Sequence, residues 1–130
     1  MGEAVLQKEL KTIPVVAALI FRTSPQGTRS VFATQRGYGD WRGFWEFPGG
    51  KIESGETPQT ALAREICEEL ATQIRVGEKI ATIEYDYPTF HLSMECFSCE
   101  VVSGKLEFLE HESAVWLTAK GFYNERDCRV

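Results

Sequence analysis

Five glutamates, Glu53, Glu56, Glu65, Glu68 and Glu69, crowd the stretch "GGKIESGETPQTALAREICEEL" that begins at Gly49, against one lysine and one arginine, Lys51 and Arg64. At 100° per residue, Leu62, Ala63, Ile66 and Leu70 form the apolar stripe of a helix, and Glu65, Glu68 and Glu69 fall together on the opposite side. The plain reading is a solvated face. Two features argue against it. Acids spaced i,i+3 and i,i+4 repel by about 0.2–0.5 kcal/mol per pair, which solvated faces soften with interleaved bases; from Ile52 to Thr72 the one base is Arg64. Glu53 and Glu56 precede the helix in a glycine-punctuated turn that can fold back toward the same face. Carboxylates converging without nitrogen or sulfur partners suit a hard divalent cation, Mg²⁺ or Mn²⁺, and such a cation bridges to phosphate. The EF-hand spacing is absent.

The elements that must hold these groups follow from the pattern. "TIPVVAALIF", Thr12 to Phe21, is a β-branched apolar run and predicts a buried strand. "SPQGTRS" is a turn, and the alternating "VFATQR", Val31 to Arg36, predicts an antiparallel partner. Glycines, aromatics and Pro48 predict an ordered loop from Gly37 to Gly50. Thr57 as N-cap and Pro58 at the first helical position predict a helix from Pro58 to about Leu70. "KIATIEYDY" and "FHLSMECFSCEVV" predict two more strands, "AVWLT" a short last one, and "AKGFYNERDCRV" the beginning of a terminal helix. This mixed order implies a sheet with helices packed on it.

At 130 residues the chain is expected to form a single domain, residues 1–130, with a composition typical of folded soluble proteins. A net charge of −5 argues against nucleic-acid polymers and anionic membranes as partners. Val15 to Phe21 is too short an apolar run to span a bilayer, and "MGEAVLQKELK" has no signal-peptide core, which predicts a cytoplasmic address. Leu6 spoils a myristoylation match after Gly2. The four cysteines are then expected to be reduced. Cys96 and Cys99 raise zinc and redox readings, but without a second such pair or paired histidines packed thiols are the better expectation.

The acidic segment resembles the Nudix box, G-x5-E-x7-R-E-U-x-E-E-x-G-U, where U is a bulky aliphatic. Gly50 leads it, Glu56 is the first glutamate, and Arg64, Glu65, Ile66, Glu68 and Glu69 fill R-E-U-x-E-E in register. Ala71 and Thr72 depart from the final glycine and aliphatic positions. The resemblance implies an α/β (α+β) fold, a mixed sheet sandwiched between α-helices. "FWEFPGGKIESGE" and "LEHESAVWL" look most like the MutT-type branch, whose members hydrolyse nucleoside triphosphates, oxidised purine ones included, to the monophosphate and pyrophosphate.

By this similarity Glu65 orients or deprotonates the attacking water. Glu68 and Glu69, with the Gly49 carbonyl and Glu65, hold Mg²⁺, with Mn²⁺ a second possibility. Glu110 is the added ligand outside the box and Glu112 its rival. Arg64 pairs with a box glutamate and fixes its rotamer, and Glu56 is structural. Arg36 and Phe47 match MutT-type positions near the base, and Asn124 and Asp127 are candidates for the base-reading position near the tail. Lys51 and Arg36 are candidate phosphate or base contacts for which a plain surface charge serves equally well. Tyr38, Trp41, Phe44 and Trp45 are stacking candidates for which packing serves equally well. His91 and His111 are expected outside the site, His91 as a strand histidine satisfied by its neighbours.

The leading expectation is a Mg²⁺-dependent nucleoside triphosphate pyrophosphohydrolase, monomeric or homodimeric, acting on an oxidised purine nucleotide such as 8-oxo-dGTP or on CTP. The alternatives are the same chemistry on a dinucleoside polyphosphate or nucleotide sugar, and a non-catalytic nucleotide-sensing module. Such modules typically lose box glutamates; Glu65, Glu68 and Glu69 are all present.

Overall fold

The computed structural model describes residues 10–36, 45–104, 106 and 111–118, with the side chains of Arg36 and of 111–114 outside that description. Its elements are β1 (Thr12–Thr23), β2 (Arg29–Arg36), β3 (Trp45–Glu46), β4 (Gly49–Lys51), α1 (Pro58–Leu70), β5 (Thr72–Asp86), β6 (His91–Gly104) and β7 (His111–Thr118). The expected terminal helix lies outside the described residues.

β1 organises the sheet because its apolar run offers both edges and both faces for burial. Along Thr12 to Ile20 it pairs in parallel with β6. On its other edge Val15–Ala17 pair antiparallel with β4, and Phe21–Thr23 pair antiparallel with β2. The order is β3-β2-β1-β6-β5, with β7 added to β2. The mixed sheet and the β1–β2 hairpin are thus as expected. Alternation sends Val16, Ala18 and Ile20 to one face, where Leu62, Ile66, Leu70 and Ala61 of α1 close the core with Phe32, Phe97 and Cys99. Ala17 joins Met94 and Cys96 on the opposite face, with Val15, Leu19, Phe47, Ile83 and Leu92 packed around them.

Several expectations need correction. Residues 45–51 are not all loop: Trp45 and Glu46 pair with Gln35 and Thr34, and Gly49–Lys51 form β4. β5 begins at Thr72, directly after the helix, well before Lys79. Ala61, not Ala63, completes the buried stripe of α1 with Leu62, Ile66 and Leu70. The cysteine expectation, by contrast, holds: Cys96 and Cys99 are packed free thiols, buried in different clusters, so the pair cannot act jointly on zinc or in redox chemistry. Burial pushes the Cys99 thiol up to about 12.

Candidate active site around the glutamate turn and helix

The turn into α1 is built by short-range bonds. The Glu56 N–H donates to the Glu53 carbonyl at 3.0 Å, and the Glu53 N–H donates back to Glu56 Oε1 at 2.9 Å. Between them Gly55 takes φ 85°, the left-handed conformation that glycine reaches without a Cβ penalty. Thr57 caps the helix by accepting the Thr60 N–H at 3.1 Å, and Pro58 follows as the first helical residue. Glu56 is thereby fixed one residue before the cap, with its carboxylate 15% exposed.

Arg64, two turns into α1, gathers the acids. One edge of its guanidinium grips Glu56 through both oxygens, Nε to Oε2 at 2.6 Å and Nη2 to Oε1 at 2.9 Å. Nη2 also donates to the Lys51 carbonyl at 3.2 Å. The remaining nitrogen, Nη1, bridges Glu65 Oε1 at 3.1 Å and Glu68 Oε1 at 3.0 Å. Glu53 stands 3.7 Å from Nε. The guanidinium holds the Glu56 carboxyl down at about 2, and Glu56 first and foremost raises the Arg64 pKa.

β4 supplies the floor. A Cβ on Gly49 would lie 1.9 Å from the Val16 carbonyl oxygen, so β4 reaches this closeness to β1 only with glycine there. A Cβ on Gly50 would lie 2.4 Å from Glu65 Cδ: the Glu65 carboxylate rests on the glycine. The Ala18 N–H bonds the Pro48 carbonyl and the Ile52 N–H bonds the Pro14 carbonyl. By antiparallel alternation Gly49 and Lys51 therefore turn their carbonyls away from β1. That direction is the side on which Arg64 meets the Lys51 carbonyl.

Four of the five carboxylates expected to converge gather around Arg64: Glu53, Glu56, Glu65 and Glu68 all lie within 4 Å of the guanidinium. Among the described residues no three acidic, histidine or cysteine side chains stand together as a ready-made metal site. The chemistry of the donors nonetheless fits a hard divalent cation, since Glu65, Glu68, the half-buried Glu69 and the outward Gly49 carbonyl offer oxygen alone, with no nitrogen or sulfur donor among them. Glu110 and Asp127 lie outside the described residues, and Glu112 outside the described side chains. Arg36 ends β2 opposite His111 beside a register irregularity. Phe47 packs on the opposite sheet face, against the cluster of Ala17, Met94 and Cys96, and the Lys51 side chain is exposed. His91 stands apart, its ring nitrogens meeting Asp86 at 2.5 Å and Glu84 at 2.7 Å, as expected of a strand histidine with partners.

Reading the sequence alone did not single out Gly50 as the support of Glu65 or the Lys51 carbonyl as an arginine acceptor. The run of two glycines before the acids was the available signal, because adjacent glycines mark close backbone approach.

A glycine strand passing under a glutamate helix, on a mixed sheet, is the frame of one family: a family model described as NUDIX domain matches residues 13–127, and the chain belongs to that family. Members act on nucleotide substrates and use divalent metal ions. The chain is 34% identical over 107 residues to a CTP pyrophosphohydrolase of Escherichia coli (strain K12), covering 82% of this chain and 76% of that protein. It is 44% identical over 55 residues to an 8-oxo-dGTP diphosphatase of Proteus vulgaris, a match spanning 42% of this chain and 49% of the relative. Among solved structures it resembles the solution structure of the E. coli ORF135 protein, with a TM-score of 0.71, 32% identity, and coverage of 85% of this chain and 76% of that one. The crystal structure of a MutT NUDIX hydrolase from Burkholderia pseudomallei superposes with a TM-score of 0.74 at 22% identity, over 85% of this chain and 86% of that one, a likeness of fold.

Proposed function

We propose that the protein is a Mg²⁺-dependent hydrolase of phosphoanhydride bonds that converts a nucleoside triphosphate to the monophosphate and pyrophosphate, with 8-oxo-dGTP or CTP as the substrates to test first. The observation that carries this reading is the Glu65 carboxylate, seated on Gly50 and held by Arg64 beside Glu68. Family membership and the two curated relatives support the same chemistry.

Phosphoryl substitution needs in-line positioning and charge neutralisation more than covalent help. Glu65 aims and deprotonates the attacking water; its support on Gly50 limits where the carboxylate can sit. Glu65, Glu68, Glu69, the Gly49 carbonyl and Glu110 would hold the cation, Mg²⁺ or alternatively Mn²⁺. A cation there supplies charge neutralisation at the phosphate oxygens. Arg64 and Glu56 set the height of the helix over β4. Lys51, exposed at the end of β4, is a phosphate contact in this reading. Arg36, Phe47 and Asp127 contribute to base recognition. We place the enzyme in the cytoplasm; no helix among the described residues is long and apolar enough to cross a membrane.

The test is a panel of nucleotides with purified protein and Mg²⁺, including 8-oxo-dGTP, CTP, dinucleoside polyphosphates and nucleotide sugars. Pyrophosphate release is expected from at least one triphosphate. Turnover confined to the dinucleoside compounds or sugars would move the substrate class, and metal-dependent binding without turnover of anything would mark a sensing module.

A further inference from the structure

We propose that Arg64 is an exchangeable counter-ion for the metal: its Nη1 occupies the Glu65 and Glu68 oxygens when no cation is bound and yields them to the cation, while its other edge stays locked on Glu56. This inference rests on the metal-dependent reading above.

The asymmetry of the guanidinium carries the argument. Its Nε and Nη2 edge makes a two-bond grip on Glu56, whose carboxylate is 15% exposed and is also tied by the Glu53 N–H, and Nη2 adds the Lys51 carbonyl. Bidentate charge-assisted pairs of this geometry are the strong kind. Nη1 instead makes two single bonds to separate carboxylates at 3.0 and 3.1 Å, and the Glu68 side chain is 61% exposed. The exposed Glu68 pair is weak, and its carboxylate rotates away at little cost. The Glu65 side chain, 18% exposed, gives up one single bond, for which a doubly charged cation outcompetes the guanidinium at the same oxygen. The two acids released in this way are the two that the box assigns to water and metal, whereas the acid that is kept, Glu56, is not assigned to the metal. The arginine therefore relieves the repulsion along the helix without filling the face permanently.

The sign of the effect on metal affinity follows from charge. A positive charge about 5 Å from a divalent cation disfavours binding even in a water-like dielectric, by roughly tenfold before salt screening. Loss of the same arginine also loosens the helix over β4, but Glu65 keeps its seat on Gly50.

Calorimetric titration of the full chain with Mn²⁺, without nucleotide, tests this on the wild type, Arg64→Gln and Glu56→Gln. Arg64→Gln should bind Mn²⁺ about threefold to tenfold more tightly than the wild type, with a lower melting temperature in the metal-free state and a larger rise on adding metal. Glu56→Gln frees the guanidinium to stay on Glu65 and Glu68, so it should bind Mn²⁺ more weakly. Equal or weaker binding by Arg64→Gln would overturn the exchange and make Arg64 a support of the metal site. If Arg64→Gln does not fold, Arg64→Lys, which keeps charge but loses the bidentate grip, should bind more weakly than the wild type, and unchanged affinity would overturn the proposal. Absence of Mn²⁺ binding by the wild type would sink the metal-dependent reading itself, a result distinct from wild-type binding that the variants leave unaltered.

Discussion

Gly50 and Glu56 hold the residue-scale logic of the site. The Glu65 carboxylate lies where a Gly50 side chain would be, 2.4 Å from its Cβ position. Gly50→Ala should therefore lower kcat by about 10²-fold or more, the scale of a misplaced general base, while the overall fold by circular dichroism stays intact. Unchanged kcat would separate Glu65 from the water. Glu56 gives a pH signature. Its carboxyl is lowered from about 4.5 to about 2, chiefly by hydrogen bonding to Arg64. A depressed folded value means that its stabilisation is complete above the unfolded value and is lost as pH falls from about 4.5 through about 2. The melting temperature of the wild type should exceed that of Glu56→Gln at pH 6, with the gap closing across that acid window; a gap that persists at pH 2 would contradict the pairing. The glutamates and Arg64 were legible in the sequence as a charge pattern. The carbonyl of Lys51 and the seat on Gly50 were not, because they depend on how β4 sits under α1, and side-chain type carries no record of that.

At the scale of elements, α1 was readable almost to the residue, since Thr57, Pro58 and the 3.6-residue stripe are local signals. β3 and β4 were not, because strands of two and three residues have no periodicity of their own; they exist through their pairing with β2 and β1. The exit of α1 shows what a departure from the family box does. Ala71 caps the helix at φ 50°, ψ 40°, its N–H bonded to the Cys67 carbonyl at 3.0 Å, in the left-handed geometry for which the box specifies glycine. An L residue with a Cβ pays about 1–2 kcal/mol there, offset in part by the lower entropy of alanine in the unfolded chain. Ala71→Gly should stabilise the protein by roughly 0.5–1 kcal/mol in urea unfolding, with activity retained. A loss of stability would mean that the methyl group packs usefully at this corner.

At the scale of the molecule, β1 carries the load. It backs the core beneath α1 with one face, the Phe47 cluster with the other, and positions β4 along its edge. The apolar run at Val15 to Phe21 announced a buried strand, but no feature of it named β6 as a parallel neighbour, since parallel pairing is a property of topology. Every rung between them joins residues 79 positions apart, from Thr12 with His91 to Ile20 with Cys99. During synthesis at about 5–20 residues per second, β1 thus leaves the ribosome about 4–16 s ahead of its partner. For that interval a sticky segment has nothing but its hairpin mate to shield it, so yield in cells should depend on how well chaperones guard the nascent amino-terminal third.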